Sequence, residues 1–286
     1  MTTPKSILAI LVLYRMSADR SPAFLSLGDL LARKREASEA VELMLFDNSP
    51  QKQSPPSGFS GLYVSDTSNP GLAAAYNRAL AVAAEAGIPW LLLLDQDTGL
   101  NEAYIDEVLA LVRESGPSGR VVAFVPKLAD RSIVCSPIVP PGLGPARAVS
   151  LERSGVAEER LHVFNSGAVV SVAALQGIGG FPADFPVDYL DHATFTQLQT
   201  AGGKLHVMHA TIAHELSSNE EAAPGSAGAA RQAQVLDAER RFYAQYGTAG
   251  DRLSRRLRLL RAVAGRLLRR KERGQTWRML RAALRP

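Results

Sequence analysis

Apolar residues in the first half of the chain fall into short runs divided by helical stretches. Residues 7–14, 41–46, 62–64, 90–94 and 121–125 read as strands, and 22–35, 72–86 and 102–114 as helices, 72–86 being rich in alanine. Five consecutive apolar residues, Trp90 to Leu94, read as a strand buried on both faces, the habit of sheets covered by helices on each side. Strand and helix in alternation imply right-handed crossovers and a mostly parallel sheet. The expected class is therefore α/β.

The sharpest boundary is where that run stops at Asp95, Gln96, Asp97 and Thr98. In an open α/β sheet, ligands bind beyond the carboxyl ends of the strands. An extended backbone would point Asp95 and Asp97 the same way, and such hard oxygen ligands suit Mg²⁺ or Mn²⁺ shared with a diphosphate. Taken alone, the pair reads equally well as an acidic turn. Residues 41–46 end in the same manner, at Asp47, Asn48, Ser49 and Pro50. Asp47 can accept a hydrogen bond from the imide N–H of a pyrimidine base, while the three residues after it are turn formers. Asn69, Pro70 and Gly71 precede the helix 72–86, where Asn69 or the Gly71 backbone can face a ligand near the positive helix end, or simply cap it.

Residues 126–160 change texture to proline, glycine and short β-like pieces such as 132–138, expected as an excursion near the site. Order returns at 163–171. A helix at 189–201 is closed by Gly202 and Gly203, followed by a strand at 204–208, a small-residue loop at 220–229 and a helix at 230–246. The expected organisation is a main domain at 1–219, a linking loop and helix at 220–251, and a helical tail at 252–286.

At 286 residues, 46% hydrophobic and 21% charged, the composition is that of a globular protein. The single cysteine, Cys135, cannot form an intrachain disulfide or a cysteine-based zinc site and reads as a small apolar group in a reducing compartment. Residues 7–13 lack the flanks and cleavage pattern of a signal peptide, and no apolar run is long enough to span a bilayer. Charge is uneven: residues 252–286 hold 13 of the 32 Lys and Arg but one of the 28 acids, so the tail carries +12 and the rest −8. An acidic body argues against nucleic-acid binding, whereas the tail suits an anionic surface.

Several motifs in order resemble the family 2 glycosyltransferases of GT-A fold, and more narrowly their bacterial rhamnosyltransferase-like branch. They are Asp47-Asn48-Ser49, the segment from Asn69 to Asn77, Leu94 to Thr98, Asn165-Ser166-Gly167, Ile178 to Pro182, and Val187 to Asp191. The resemblance covers about residues 5–216. It implies a GT-A main domain with a mostly parallel sheet, and an inverting, metal-dependent transferase. The donor would be a dTDP- or UDP-sugar, dTDP-rhamnose in that branch. The acceptor would be a surface polysaccharide such as O-antigen, or a lipid-linked glycan. By the same resemblance Asp47 holds the nucleobase, Asp95 the ribose or metal region, and Asp97 and His214 the divalent ion. Asn69, Gly71 and Asn77 belong to the donor side, and Ser166 and Gly167 to the acceptor or secondary side.

A single-displacement transfer needs a carboxylate to take the acceptor proton. Asp191 fills that role at the start of the helix 189–201, where the dipole favours its ionised form; Asp188 is the rival. Both can also be plain helix-start acids. No role is assigned to His162, His192, His206 or His209. The chain departs from the family pattern at Arg15, Ala193 and Gln197, which bears on the acceptor side. Two other functions remain open: a sugar nucleotidyltransferase, disfavoured because Tyr14 to Ser17 contains no glycine, and a degenerate, non-catalytic scaffold docked to membranes. In the tail, Leu257, Leu260, Ala264 and Leu267 recur at helical spacing with arginines largely elsewhere, and Trp277, Leu280 and Leu284 repeat the theme. Such helices can lie in an anionic membrane interface or pack on protein. The expected location is cytoplasmic, peripheral on the inner membrane face.

Overall fold

The computed structural model describes residues 5–115, 119–130, 133–140, 146–213, 227–268 and 280–281. They divide into two units, 1–138 with 148–215, and 139–147 with 216–286. The first is built on a sheet whose leading strands are β1 (Ile7–Leu13), β2 (Val41–Asp47), β3 (Leu62–Ser65) and β4 (Trp90–Asp95). Between them lie α1 (Pro22–Arg33), α2 (Arg35–Ala40) and α3 (Leu72–Glu85); α4 (Glu102–Glu114) leads to β5 (Val121–Asp130). Next come β6 (Ile133–Ser136), β7 (Ile138–Val139), β8 (Arg147–Ala148), β9 (Gly155–Val156), β10 (Val169–Ser171), α5 (Val172–Gly177), α6 (Leu190–Thr200) and β11 (Lys204–Ala213).

The strand order is β3-β2-β1-β4-β10-β5-β11-β9, with β6 on β5, and β7 pairs with β8 apart from it. From β3 to β4 all pairings are parallel, as are β5 and β11; β10 is antiparallel to both its neighbours. The apolar runs form strands for the reason their pattern implied: β1 is buried throughout and β4 up to Leu94, with the Trp90 ring 4.9 Å from that of Phe124. The expected α/β architecture is thus the observed one.

Register brings the acids to one edge. Leu13 pairs with Asp47 and Val12 with Asp95, so the two carboxylates flank the end of β1. At the spacing of neighbouring strands they stand about 10 Å apart along the edge. Because β10 runs the other way, with Val169 opposite Leu92, the chain enters it over the carboxyl end of β4 and lays Asn165 to Gly167 there. The backbone N–H of Gly167 donates to Leu93 O at 2.8 Å.

Several boundaries differ from expectation. The helix expected at 22–35 stops at Arg33 and resumes as α2 after the extended Lys34. The strand expected at 121–125 continues to Asp130 through Pro126, and the one at 204–208 continues to Ala213. A proline lacks the N–H of a ladder and belongs at bulges and edges. Pro126 is tolerated because β10 pairs only as far as Phe124, and the β5–β11 register is interrupted between Val207 and Thr211. α5 was not expected.

The second unit contains α7 (Ala227–Tyr246) and α8 (Ala249–Leu268), so residues 227–229, expected as loop, are helical. At their junction Thr248 N donates to Asp251 Oδ2 (2.9 Å) and Asp251 N to Thr248 Oγ1 (3.1 Å), a reciprocal cap that starts α8. Glu239 of α7 takes ion pairs from Arg255 and Arg258 of α8. Among the described residues no helix is long and apolar enough to cross a membrane.

Candidate functional site

A cavity of 410 Å³ opens at the carboxyl edge of β4, walled by Asp95, Asn165, Ser166, Asp188, Tyr189, Asp191 and His192, with Leu72, Phe164 and Val187. Asp95 is the last residue of β4, and the Ser166 hydroxyl donates to its Oδ2. Gly167 makes the turn that sets this up. Its φ is +73°, and a Cβ there would lie 2.7 Å from Ile212 Cδ1. Its carbonyl accepts from the buried Tyr104 hydroxyl at 2.6 Å.

Opposite, α6 begins after Tyr189, a non-glycine residue at φ +63°, in the left-handed region. Such a conformation costs on the order of 1 kcal/mol or more and persists only where neighbours enforce it. The Tyr189 ring rests 5.1 Å from that of His192, which also neighbours Phe164 (5.7 Å) and His162 (4.9 Å). His192 in turn fixes Asp191: its backbone N–H donates to Asp191 Oδ1 at 2.7 Å, and its Nδ1 lies 2.9 Å from the same oxygen. With Nδ1 protonated, Oδ1 is held from two sides while Oδ2 has no hydrogen bond among the described residues.

Behind Asp95 and Asp191 the Tyr76 hydroxyl is buried within the influence of both carboxylates. Burial, and then the charges of Asp95 and Asp191, push this phenol well above its ordinary range. Asn165 Oδ1 is also buried, and unsatisfied among the described residues. The wall thus presents three carboxylates and, among the described residues, contains no lysine or arginine. Chemically it accepts hydrogen bonds, so it suits ligands rich in hydroxyl groups.

Asp47 lies at the foot of a different space. Its Oδ1 accepts from Ser49 N (2.9 Å) and Gln53 Nε2 (3.1 Å), and its Oδ2 from Gln53 N and the Tyr63 hydroxyl (both 3.0 Å). Burial works against the charge, but the Ser49, Gln53 and Tyr63 hydrogen bonds prevail and hold the carboxyl below the usual carboxylate range. A carboxylate offers about four lone-pair positions, and all are used. The loop organised this way forms, with Arg15, a cavity of 710 Å³ that also includes Lys52. Arg15 is at φ +53°, and its N–H donates to Ser49 Oγ at 2.9 Å. This second cavity is cationic.

Of the residues singled out by sequence, Asp95, Ser166, Asp188 and Asp191 line one cavity. Asp47 is buried under the neighbouring one, and Asp97 is exposed at the surface rather than in either wall. Gly71 (φ +91°) and Asn69 (φ +52°) form the turn into α3, where Pro186 O takes the N–H of Leu72 at 2.7 Å. Asn77 spends both ends of its amide on the backbone of Phe181, at 2.8 Å each. His214 lies outside the described residues, as do Trp277 and Leu284. Among the described residues no three His, Cys, Asp or Glu side chains cluster as a metal site. His192, Tyr189, Phe164 and Tyr76 went unassigned in the sequence. Tyr76 and Tyr189 fall inside the resembling segments and His192 adjoins Asp191 at a helix start, signals too weak to give any of them a role.

No family model matches the chain, and no curated protein does. Solved structures do: the class defined by the fold is that of an α/β sheet with helices on its faces. Within it the chain is similar to Staphylococcus aureus TarS, with TM-score 0.54 and 13% identity over 84% of this chain and 44% of that one. TarS 1–349 in complex with UDP aligns at TM-score 0.52 and 14% identity, and in complex with UDP-GlcNAc at 0.51 and 13%, each over 87% of this chain and 75% of that chain. At such identity the likeness shows a shared fold, in keeping with the GT-A expectation.

Proposed function

We propose that the protein is an inverting glycosyltransferase that takes a sugar from a nucleoside diphosphate donor. The observation that carries this reading is the meeting of Asp95, from the end of β4, with Asp191, from the start of α6, across a cavity that accepts hydrogen bonds. The shared fold with TarS, which has been solved with UDP and UDP-GlcNAc, supports the donor class. The donor is dTDP- or UDP-linked, rhamnose being the sugar the sequence resemblance implies. The acceptor is a glycan hydroxyl of a surface polysaccharide or lipid-linked precursor.

In this reading Asp191 takes the acceptor proton on Oδ2 while His192 holds Oδ1, so the carboxylate is oriented before the acceptor arrives. Attack from the face opposite the departing diphosphate inverts the anomeric centre. Asp188 lines the same wall and is the second candidate for the base. Ser166 fixes Asp95, and Arg15 and Lys52 give the adjoining cavity the sign that suits an anionic group. By the sequence resemblance Asp97, exposed in the turn beyond β4, would hold Mg²⁺ or Mn²⁺ together with His214, with Asp95 serving the ribose or the metal. When bound, the ion neutralises charge on the leaving diphosphate.

The test separates donor binding from transfer. Thermal unfolding across a panel of nucleotide sugars with Mg²⁺ or Mn²⁺ should show stabilisation by a dTDP- or UDP-sugar. Asp191→Asn should keep that stabilisation and lose transfer by about 10²-fold or more. Full turnover in Asp191→Asn moves the base to Asp188. Stabilisation by no nucleotide sugar sinks the enzyme reading and favours a scaffold.

A further inference from the structure

Helix α8 carries apolar residues on two sides. Leu259 and Val263 are buried, whereas Leu253, Leu257, Leu260 and Leu267 stand 49, 45, 41 and 61% exposed. At 100° per residue these four fall within about 80° of the helix circumference, and at 1.5 Å per residue they run for about 21 Å. Single exposed leucines need no explanation, but a continuous stripe does. Its flanks are cationic. Arg256 follows one edge at about 60° from the stripe centre and Arg261 the other at about 80°, both exposed; Arg252, also exposed beyond Arg256, donates from Nη1 to Gly247 O at 2.9 Å. The remaining described guanidiniums have other work: Arg255 and Arg258 pair with Glu239. After Asp251 no acid occurs in α8.

We infer that this face of α8 docks on an anionic lipid surface, lying in the plane of the interface with the leucines turned into the acyl boundary. A leucine ridge bordered on both sides by long cations matches such a boundary, because each arginine can bury its methylene stem and lift its charge to the headgroups. Nucleic acid would engage the guanidiniums and leave the leucines wet. A protein partner would be registered by charges of both signs, and beyond the buried Asp251 α8 offers one sign only. The absence of any helix able to cross a membrane among the described residues leaves surface docking as the mode available to α8.

The inference stands independently of the transferase reading, since it uses no residue of either cavity. The experiment is flotation of the full chain with vesicles of phosphatidylcholine, alone or with about one third phosphatidylglycerol. Binding is expected on the anionic vesicles, weakening as salt rises. Arg256→Gln with Arg261→Gln should weaken it about 25-fold, each arginine counting for about fivefold, or about 1 kcal/mol. Leu257→Ser with Leu260→Ser should weaken it at least as much while the circular dichroism of the folded chain is unchanged. Equal binding to neutral vesicles, no binding at all, or wild-type binding by the leucine variant overturns the inference. So does a concentration-dependent dimer that the leucine variant abolishes, which would assign the stripe to a second copy of the chain.

Discussion

Gly167 shows how much one missing Cβ decides. It is held at a positive φ, wedged between Ile212 and Pro126, and it delivers Ser166 to Asp95. Gly167→Ala adds a left-handed penalty and an overpacked contact, together about 2–4 kcal/mol. Urea unfolding should register that loss, and donor binding should fall because Ser166 moves with the backbone. A loss within 0.5 kcal/mol would mean that the turn relaxes without consequence. The sequence resemblance placed Gly167 near the acceptor; the structure shows it turning the chain there, with its N–H on Leu93 O and its carbonyl on the Tyr104 hydroxyl. Asn77, expected on the donor side, holds the Phe181 backbone with both ends of its amide. A motif residue and a contact residue are different things, and only the backbone path tells them apart.

Among the elements, α4 is fastened at its first turn. Asn101 Oδ1 caps Tyr104 N at 2.9 Å while Nδ2 donates to Thr211 O of β11 at 3.0 Å. Asn101→Ala removes both and should cost about 1–2 kcal/mol in denaturant unfolding; Asn101→Asp, retaining the cap, should recover part of it. Elements of this kind were legible in the sequence because one face or both are apolar. β1, β2, β4 and α4 emerge near their true bounds for that reason. What stayed hidden depends on partners distant in the chain. The passage of β5 through Pro126 is allowed only by the short reach of β10 and the irregular register of β11. α5 spans six residues, too few for periodicity, and owes its start to Ser171 capping Ala174 N. The site was legible as a set of acids at strand ends. Its division into an acidic and a cationic cavity was not, because β10 must reverse direction before Asn165 and Ser166 can meet Asp95.

At the scale of the molecule, the cationic cavity hangs on one ionised group. Asp47 ties Ser49, Gln53 and Tyr63 together, and the Tyr63 phenol, pushed up to about 12 by burial and by Asp47, remains a donor at every ordinary pH. The Asp47 carboxyl is held below the value near 3.9 expected for an unfolded chain, so the folded state binds its proton less readily than the unfolded state. Its contribution to stability is therefore complete above about pH 4 and fades as pH falls through the lower folded value. Asp47→Asn keeps the shape, loses the charge, and turns one acceptor oxygen into a donor facing other donors. The stability gap between wild type and Asp47→Asn should be constant from about pH 7 to pH 5 and shrink toward pH 3, as the wild-type group takes up its proton. Urea midpoints at several pH values measure this directly. A gap that stays the same down to pH 3 would show that the loop does not depend on the charge, and would hand the ordering of Arg15 and Lys52 to the uncharged contacts of Ser49 and Gln53 alone.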